Sequence, residues 1–129
     1  MPEKAPKPRA QPIVLLVDDE AKLIDAIGQE LRETFRVYTA ASAAEAEVLL
    51  AARRYDVIVC DHMLPGEQGL EFLSRVHEMM PTTRRILVTG YTSPEFVTRS
   101  VAIAGLSACL VKPVRGSEIR DAVLAALAS

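Results

Sequence analysis

Apolar and polar positions follow two periods along this chain, one suited to strands and one to helices. The short apolar runs IVLLV from Ile13, VIVC from Val57, ILV from Ile86 and ACLV from Ala108 have the length and β-branched content of strands buried on both faces. Between them the spacing changes to that of helices. Leu23, Ile24, Ile27 and Leu31 form one stripe on a helix from about Ala21 to Thr34, and Arg36 to Thr39 reads as a short second strand. Ser42 followed by Glu45 has the spacing of a capping box and opens a second helix through Leu49 and Leu50 to about Arg53. The third strand, Asp56 to Cys60, leads into Asp61.

After the loop HMLPGEQG, Leu70, Leu73, Val76 and Met80 mark a third helix that Pro81 stops. Arg85 to Val88 is the fourth strand, and Ser93 with Pro94 is an N-cap and first-turn pair for a fourth helix ending near Gly105. Ala108 to Val111 is the fifth strand. Ile119, Ala122, Val123, Ala126 and Leu127 carry the last helix. Strand and helix thus alternate five times, which predicts an α/β domain: a parallel five-stranded sheet with helices on both faces.

Four of the strands end in a reactive polar residue: the first in Asp18 and Asp19, the third in Asp61, the fourth in Thr89, the fifth in Lys112 before Pro113. In a parallel sheet all carboxyl ends lie along one edge, where ligands bind near the point at which strand order reverses. Polar residues at strand ends often mark only where a strand meets water. Three carboxylates together are a different matter, since a pair about 4 Å apart repels by roughly 4 kcal/mol at an effective dielectric near 20. Such a cluster calls for a cation.

Composition narrows the classes. The 129 residues, half of them hydrophobic, suit one compact domain, here 13–129. Residues 1–12, with four prolines, Lys4, Lys7 and Arg9, read as a disordered tail. With 15 basic against 17 acidic residues and no basic stripe interleaved with aromatics, direct nucleic-acid binding is not expected. No apolar run reaches bilayer length and no signal core opens the chain, so a cytoplasmic protein without membrane contact is expected, with no second, effector domain supplied by this sequence. Cys60 and Cys109 sit inside predicted buried strands as small hydrophobes, without the spacing of a zinc site.

Asp18 and Asp19 suit Mg²⁺, a hard ion that takes oxygen ligands and keeps several waters, with Mn²⁺ as an alternative. Asp61 can share the ion and keep an oxygen free to attack phosphorus, forming an aspartyl phosphate. Lys112 supplies a second cation for the transferring oxygens, and Thr89 a hydroxyl donor.

In order and at fitting spacing, LLVDDE, DHMLPGEQGLEFL, ILVTGY and CLVKP make the chain from Ile13 onward resemble a response-regulator receiver domain of two-component signalling, of the chemotaxis-regulator kind. The resemblance implies a flavodoxin-like (βα)5 three-layer sandwich with strand order 2-1-3-4-5. It also implies Mg²⁺-dependent phosphorylation of Asp61 by a histidine kinase or phosphotransfer protein, followed by hydrolysis of the acyl phosphate. On the same ground Asp18, Asp19, Asp61 and the Met63 carbonyl would hold the metal, and Thr89, Gly90 and Lys112 would border the phosphoryl group. Thr89 would act as the switch hydroxyl, and the Lys112-Pro113 bond would be cis. The output would be a change in protein contacts: the first helix would receive the phosphodonor, while the face built from the fourth helix, fifth strand and fifth helix would meet a downstream target, an effector domain or a second copy.

Several positions depart from the pattern. Where the family usually carries Tyr or Phe, three residues before the lysine, this chain has Cys109, which predicts a muted or altered switch because an aromatic burial of about 1.5 to 3 kcal/mol is absent. Tyr91 either takes over part of that role, shields the phosphate from water, or is an exposed loop aromatic. Gln68 replaces an acid before Gly69, and Arg115 stands where an acidic cap is common, predicting a weak start to the last helix. Strand alternation turns His62 away from Asp61, favouring a structural role. Two other functions compete: a pseudo-receiver that binds partners unphosphorylated, which Cys109 alone supports, and an aspartyl-phosphate hydrolase of the haloacid-dehalogenase kind. The hydrolase reading fits poorly, because Asp18 and Asp19 are adjacent and the lone Asp lies on the third strand. The chain is therefore expected not to be an enzyme beyond its own phosphotransfer and hydrolysis.

Overall fold

A computed structural model describes residues 11–91 and 93–129. The elements run β1 (Ile13–Val17), α1 (Ala21–Leu31), β2 (Arg36–Ala40), α2 (Ala43–Ala52), β3 (Val57–Asp61), α3 (Gly69–Met79), β4 (Arg84–Thr89), α4 (Pro94–Ala104), β5 (Ala108–Val111) and α5 (Gly116–Ala128). The strands form one parallel sheet in the order β2-β1-β3-β4-β5, as the flavodoxin-like expectation requires. Residues 1–10 of the expected tail lie outside the described residues. Pro12 is part of the fold, its carbonyl accepting from the N–H of Arg36 at 2.9 Å.

Alternation along each strand divides the core into two layers. Val14, Leu16, Val57, Val59, Ile86 and Val88 meet α1 and α5 through Ile27, Leu31, Ile119 and Val123. Leu15, Val17, Ile58, Cys60 and Leu87 meet the opposite layer, including Ala46 and Leu50 of α2, Phe72 and Leu73 of α3 and Ala104 of α4. Every residue of β3 is buried, because it is the central strand and both its faces are covered. β5 is an edge strand, so Cys109 is only half-buried, which corrects the expectation of a fully buried thiol.

Helix ends follow the sequence with instructive shifts. The Ser42 hydroxyl accepts from the N–H of Glu45 at 3.1 Å, but the Glu45 carboxylate reaches back to Ala41, not to Ser42. α1 stops at Leu31 and residues 32–34 turn toward β2, three residues short of the expected end. Arg115 contributes no side-chain cap to α5; the Glu118 carboxylate accepts from the N–H of Arg115 at 3.1 Å, so the helix start expected to be weak has an anionic partner in its first turn.

α4 is anchored at its C-terminal end by a buried cation. Arg85, 5% exposed, donates through Nε to the Ala104 carbonyl at 2.8 Å and through Nη2 to the Gly105 carbonyl at 3.0 Å, while Nη1 reaches the Thr83 carbonyl. Burial lowers the pKa of this guanidinium, but four carbonyls facing it keep its donors satisfied. Gly105 closes the helix at φ 56°, a left-handed turn that glycine adopts without strain. Among the described residues no helix is long and apolar enough to cross a membrane.

Arg85→Met should lower stability by about 3 kcal/mol in urea unfolding, because hydrogen bonds from a charged group are each worth roughly 1.5 to 3 kcal/mol and the orphaned carbonyls stay buried. A loss below 0.5 kcal/mol, the scale of ordinary surface changes, would show that the clamp is incidental.

Candidate functional site

Two strand termini, Asp61 and Thr89, and the loops that follow β1, β3, β4 and β5 converge at the carboxyl edge of the sheet. β1 and β3 are neighbours, with Val17 in register with Cys60, so the residues that follow each strand emerge side by side. Oxygen atoms of Asp18, Asp19 and Asp61 lie within 4.8 Å of one another. Asp61 is the last residue of β3 itself, one further along than expected, and is 4% exposed; Asp18 is 8% exposed and Asp19 is exposed. The structure therefore brings together the acids that the strand endings suggested.

The cluster's charge is only partly balanced. The Lys112 ammonium lies 2.9 Å from Asp61 Oδ1. Burial alone would lower the Lys112 pKa, but its hydrogen bond to Asp61 and the charges of Asp61 and Asp18 raise it overall. Burial raises the Asp18 carboxyl above its ordinary 3.8; the N–H of Glu20, donating to Oδ1 at 2.9 Å, opposes this, and the Asp61 charge adds to it. One ammonium among three carboxylates leaves a site with net negative charge and several unshared oxygens. That donor set fits a hard divalent cation.

Thr89 ends β4 and is 1% exposed. Its Oγ1 accepts from the N–H of Tyr91 at 3.1 Å, leaving the hydroxyl proton free to be donated elsewhere. Beside Gly90, no described residue other than its chain neighbours comes within 4 Å of where a Cβ would stand. The Lys112-Pro113 bond is cis, as the resemblance implied, and the Lys112 N–H donates to the Thr89 carbonyl at 2.8 Å. Met63 lies in the loop after Asp61 with its side chain 59% exposed.

Loop closure after Asp61 depends on Gly69. Its N–H donates to the His62 carbonyl at 2.8 Å, and a Cβ there would stand 2.1 Å from the Asp61 carbonyl oxygen. Glycine is required by this close backbone approach, which is why the exchange of an acid for Gln68 is tolerated and one at Gly69 would not be.

His62 holds a position that strand alternation foresaw in part. It is 3% exposed and lies on the α4 side of the sheet, where its ring meets those of Tyr91 at 5.6 Å and Phe96 at 5.2 Å between centroids. The third side of this triangle, Tyr91 to Phe96, is 5.1 Å. Sequence reading singled out Tyr91 and His62 but overlooked Phe96, whose spacing marks it only as one apolar position on α4. Tyr91 is 50% exposed, as a loop aromatic would be, and makes edge contacts with His62 and Phe96.

Comparisons with known proteins agree with this geometry. A sequence profile described as the response regulator receiver domain matches residues 14–124. The hydrogenase transcriptional regulatory protein HoxA of Cupriavidus necator is 42% identical over 113 residues, which are 88% of this chain and 23% of that protein. The chain thus spans about a quarter of the length of such relatives, and others include transcriptional regulators of alginate biosynthesis and a sensor histidine kinase of Pseudomonas aeruginosa. A Francisella response regulator receiver domain superposes with a TM-score of 0.85 at 27% identity, over 92% of this chain and 98% of that one. The BeF3-activated DrrB receiver domain gives 0.80 at 25% identity, over 92% and 99%.

Asp18→Asn, which keeps the acceptor for Glu20, should stabilise the metal-free protein at neutral pH by on the order of 1 kcal/mol by removing a charge that burial penalises and Asp61 repels. Because the folded Asp18 pKa is raised, the native state holds the extra proton; stability from this group declines as pH climbs from 3.8 through the raised value. Urea midpoints measured across that window with EDTA present should show the decline in the parent and not in the variant.

Proposed function

The chain belongs to the response-regulator receiver-domain family, and from that premise we propose that Asp61 is its phosphoacceptor. The observation that carries this is the arrangement at one sheet edge: a nearly buried carboxylate on the central strand, flanked by two more carboxylates within 4.8 Å and paired with an ammonium at 2.9 Å. Asp18, Asp19, Asp61 and the carbonyl of Met63 would hold Mg²⁺ or Mn²⁺. The bound ion supplies charge neutralisation for the transferring phosphoryl oxygens.

The chain's own residues do the rest. Asp61 presents an oxygen to phosphorus from a fixed strand end, so little orientational freedom is lost on reaction. Lys112 already sits at hydrogen-bond distance from that carboxylate and would pair with a phosphoryl oxygen once Asp61 carries one. Thr89 would donate its free hydroxyl proton to another oxygen, beside Gly90. Transfer moves the phosphoryl group from a histidine nitrogen of the donor to the Asp61 oxygen, and water later cleaves the acyl phosphate to inorganic phosphate and the carboxylate.

A histidine kinase or phosphotransfer protein would dock beside the acids. A depression lined by Glu20, Leu23, Lys112, Pro113 and Val114 joins the start of α1 to the loop before α5, and offers apolar surface next to the reacting carboxylate. Downstream, the modified domain would change its contacts with a target protein, an effector domain or a second copy. We place this activity in the cytoplasm, and we assign the chain no turnover of an external substrate beyond its own phosphotransfer and hydrolysis.

Incubation with a small phosphodonor and Mg²⁺ should add one phosphoryl group to the intact mass of the parent, and none to Asp61→Asn or to the parent in EDTA. Absence of the adduct, together with failure to bind beryllofluoride, would overturn the assignment in favour of partner binding without phosphorylation.

A further inference from the structure

We propose that the rings of His62, Tyr91 and Phe96 form a relay that carries the state of Asp61 from the Thr89 hydroxyl into the first turn of α4. The inference rests on the receiver reading above and identifies how this chain transmits its signal without a ring at position 109.

Strand alternation sets the geometry. Thr89, two residues beyond Leu87 on β4, and His62, two beyond Cys60, both fall on the face that α4 covers. Cys109, in register with Leu87, points to that face too, and packs with Phe96 against the same apolar core. A thiol there is too small to follow a hydroxyl that moves one strand away. The ring that touches the neighbourhood of Thr89 comes instead from Tyr91.

Each member of the triangle has a distinct attachment. His62 is fixed to the sheet and to α3: its N–H donates to the Val88 carbonyl at 2.9 Å, and its Nδ1 accepts from the N–H of Leu70 at 3.4 Å. Phe96 belongs to α4 and is tied to its cap, its N–H donating to the Ser93 hydroxyl. Tyr91 bridges the two and is bonded through its own N–H to Thr89 Oγ1 at 3.1 Å. A Thr89 hydroxyl drawn toward a phosphoryl oxygen pulls on this bond, and a Tyr91 backbone that follows it moves a ring that lies edge-on to Phe96 at 5.1 Å.

The other end of α4 does not share this freedom, because Arg85 holds the Ala104 and Gly105 carbonyls. The response is therefore concentrated at the N-terminal turn of the helix, around Phe96, with the Gly105 end as the fixed point.

The chain has three tyrosines and no tryptophan, so 3-fluorotyrosine labelling of the full chain gives three ¹⁹F signals. Tyr38 and Tyr55 pack against each other at 5.7 Å and serve as internal references. With Mg²⁺ and beryllofluoride the Tyr91 signal should shift while the other two stay, and the α4 amide signals should move most in residues 95–98 and least near Ala104. In Phe96→Leu, and in Phe96→Met as a second, unbranched apolar variant, beryllofluoride should still saturate the protein but the α4 amide shifts should fall to less than half. Parental α4 shifts in both variants, or a Tyr91 signal that beryllofluoride binding leaves in place, would overturn the relay with the receiver reading intact. A parent that does not bind beryllofluoride would count against the receiver reading itself and remove the relay with it.

Discussion

Three carboxylates are held with oxygens within 4.8 Å of one another by strands that have no room to separate. Val17 and Cys60 are in register on adjacent strands, both without exposed surface, so the backbone that carries the acids is held by the core, and Asp18 and Asp61 are themselves nearly buried. The repulsion is on the order of 3 kcal/mol per pair at an effective dielectric near 20, and among the described residues one ammonium, that of Lys112, opposes it directly. The apolar sheet therefore keeps a charge imbalance at its edge that a bound cation would relieve, and the role proposed for Asp61 rests on this.

Around that edge the fold separates what must stay still from what has room to move. β3 is buried at all five positions, and Gly69 lets the loop after Asp61 turn back against the Asp61 carbonyl with no side chain between them. On the opposite flank, Thr89 and Tyr91 lead into α4, whose first turn rests on aromatic contacts and whose last turn is clamped by Arg85. Aromatic edge contacts are individually weak, about 0.5 to 1.5 kcal/mol each beyond their area, so they rearrange under forces that a buried, multiply bonded guanidinium resists. With no ring at Cys109, the proposed relay places the coupling in this loop and not on the edge strand.

Much of this was legible in the sequence because strand endings and helix stripes are local. The runs IVLLV, VIVC, ILV and ACLV lie within strands of the described sheet, and Ser42, Ser93 and Gly105 cap helices where their chemistry suggests. Most errors fell where the partner is distant, and one where a neighbour three residues on supplied the cap. Cys109 was expected to be buried, but strand order puts β5 at the edge. Arg115 predicted a weak helix start, but Glu118 caps the helix in its place. Phe96 looked like one more apolar position, and Arg85 like an ordinary first residue of a strand.

By itself the sequence determined the alternation of strand and helix, the residues that end each strand and the chemistry those residues can carry, because each of these depends on neighbours a few positions away. Tertiary structure decided which ends meet, which face each side chain takes and what surrounds it: the 2.9 Å pairing of Lys112 with Asp61, the carbonyl cage of Arg85, and the triangle of His62, Tyr91 and Phe96. These contacts join residues far apart along the chain. Their existence depends on sheet order and register, which no local period encodes.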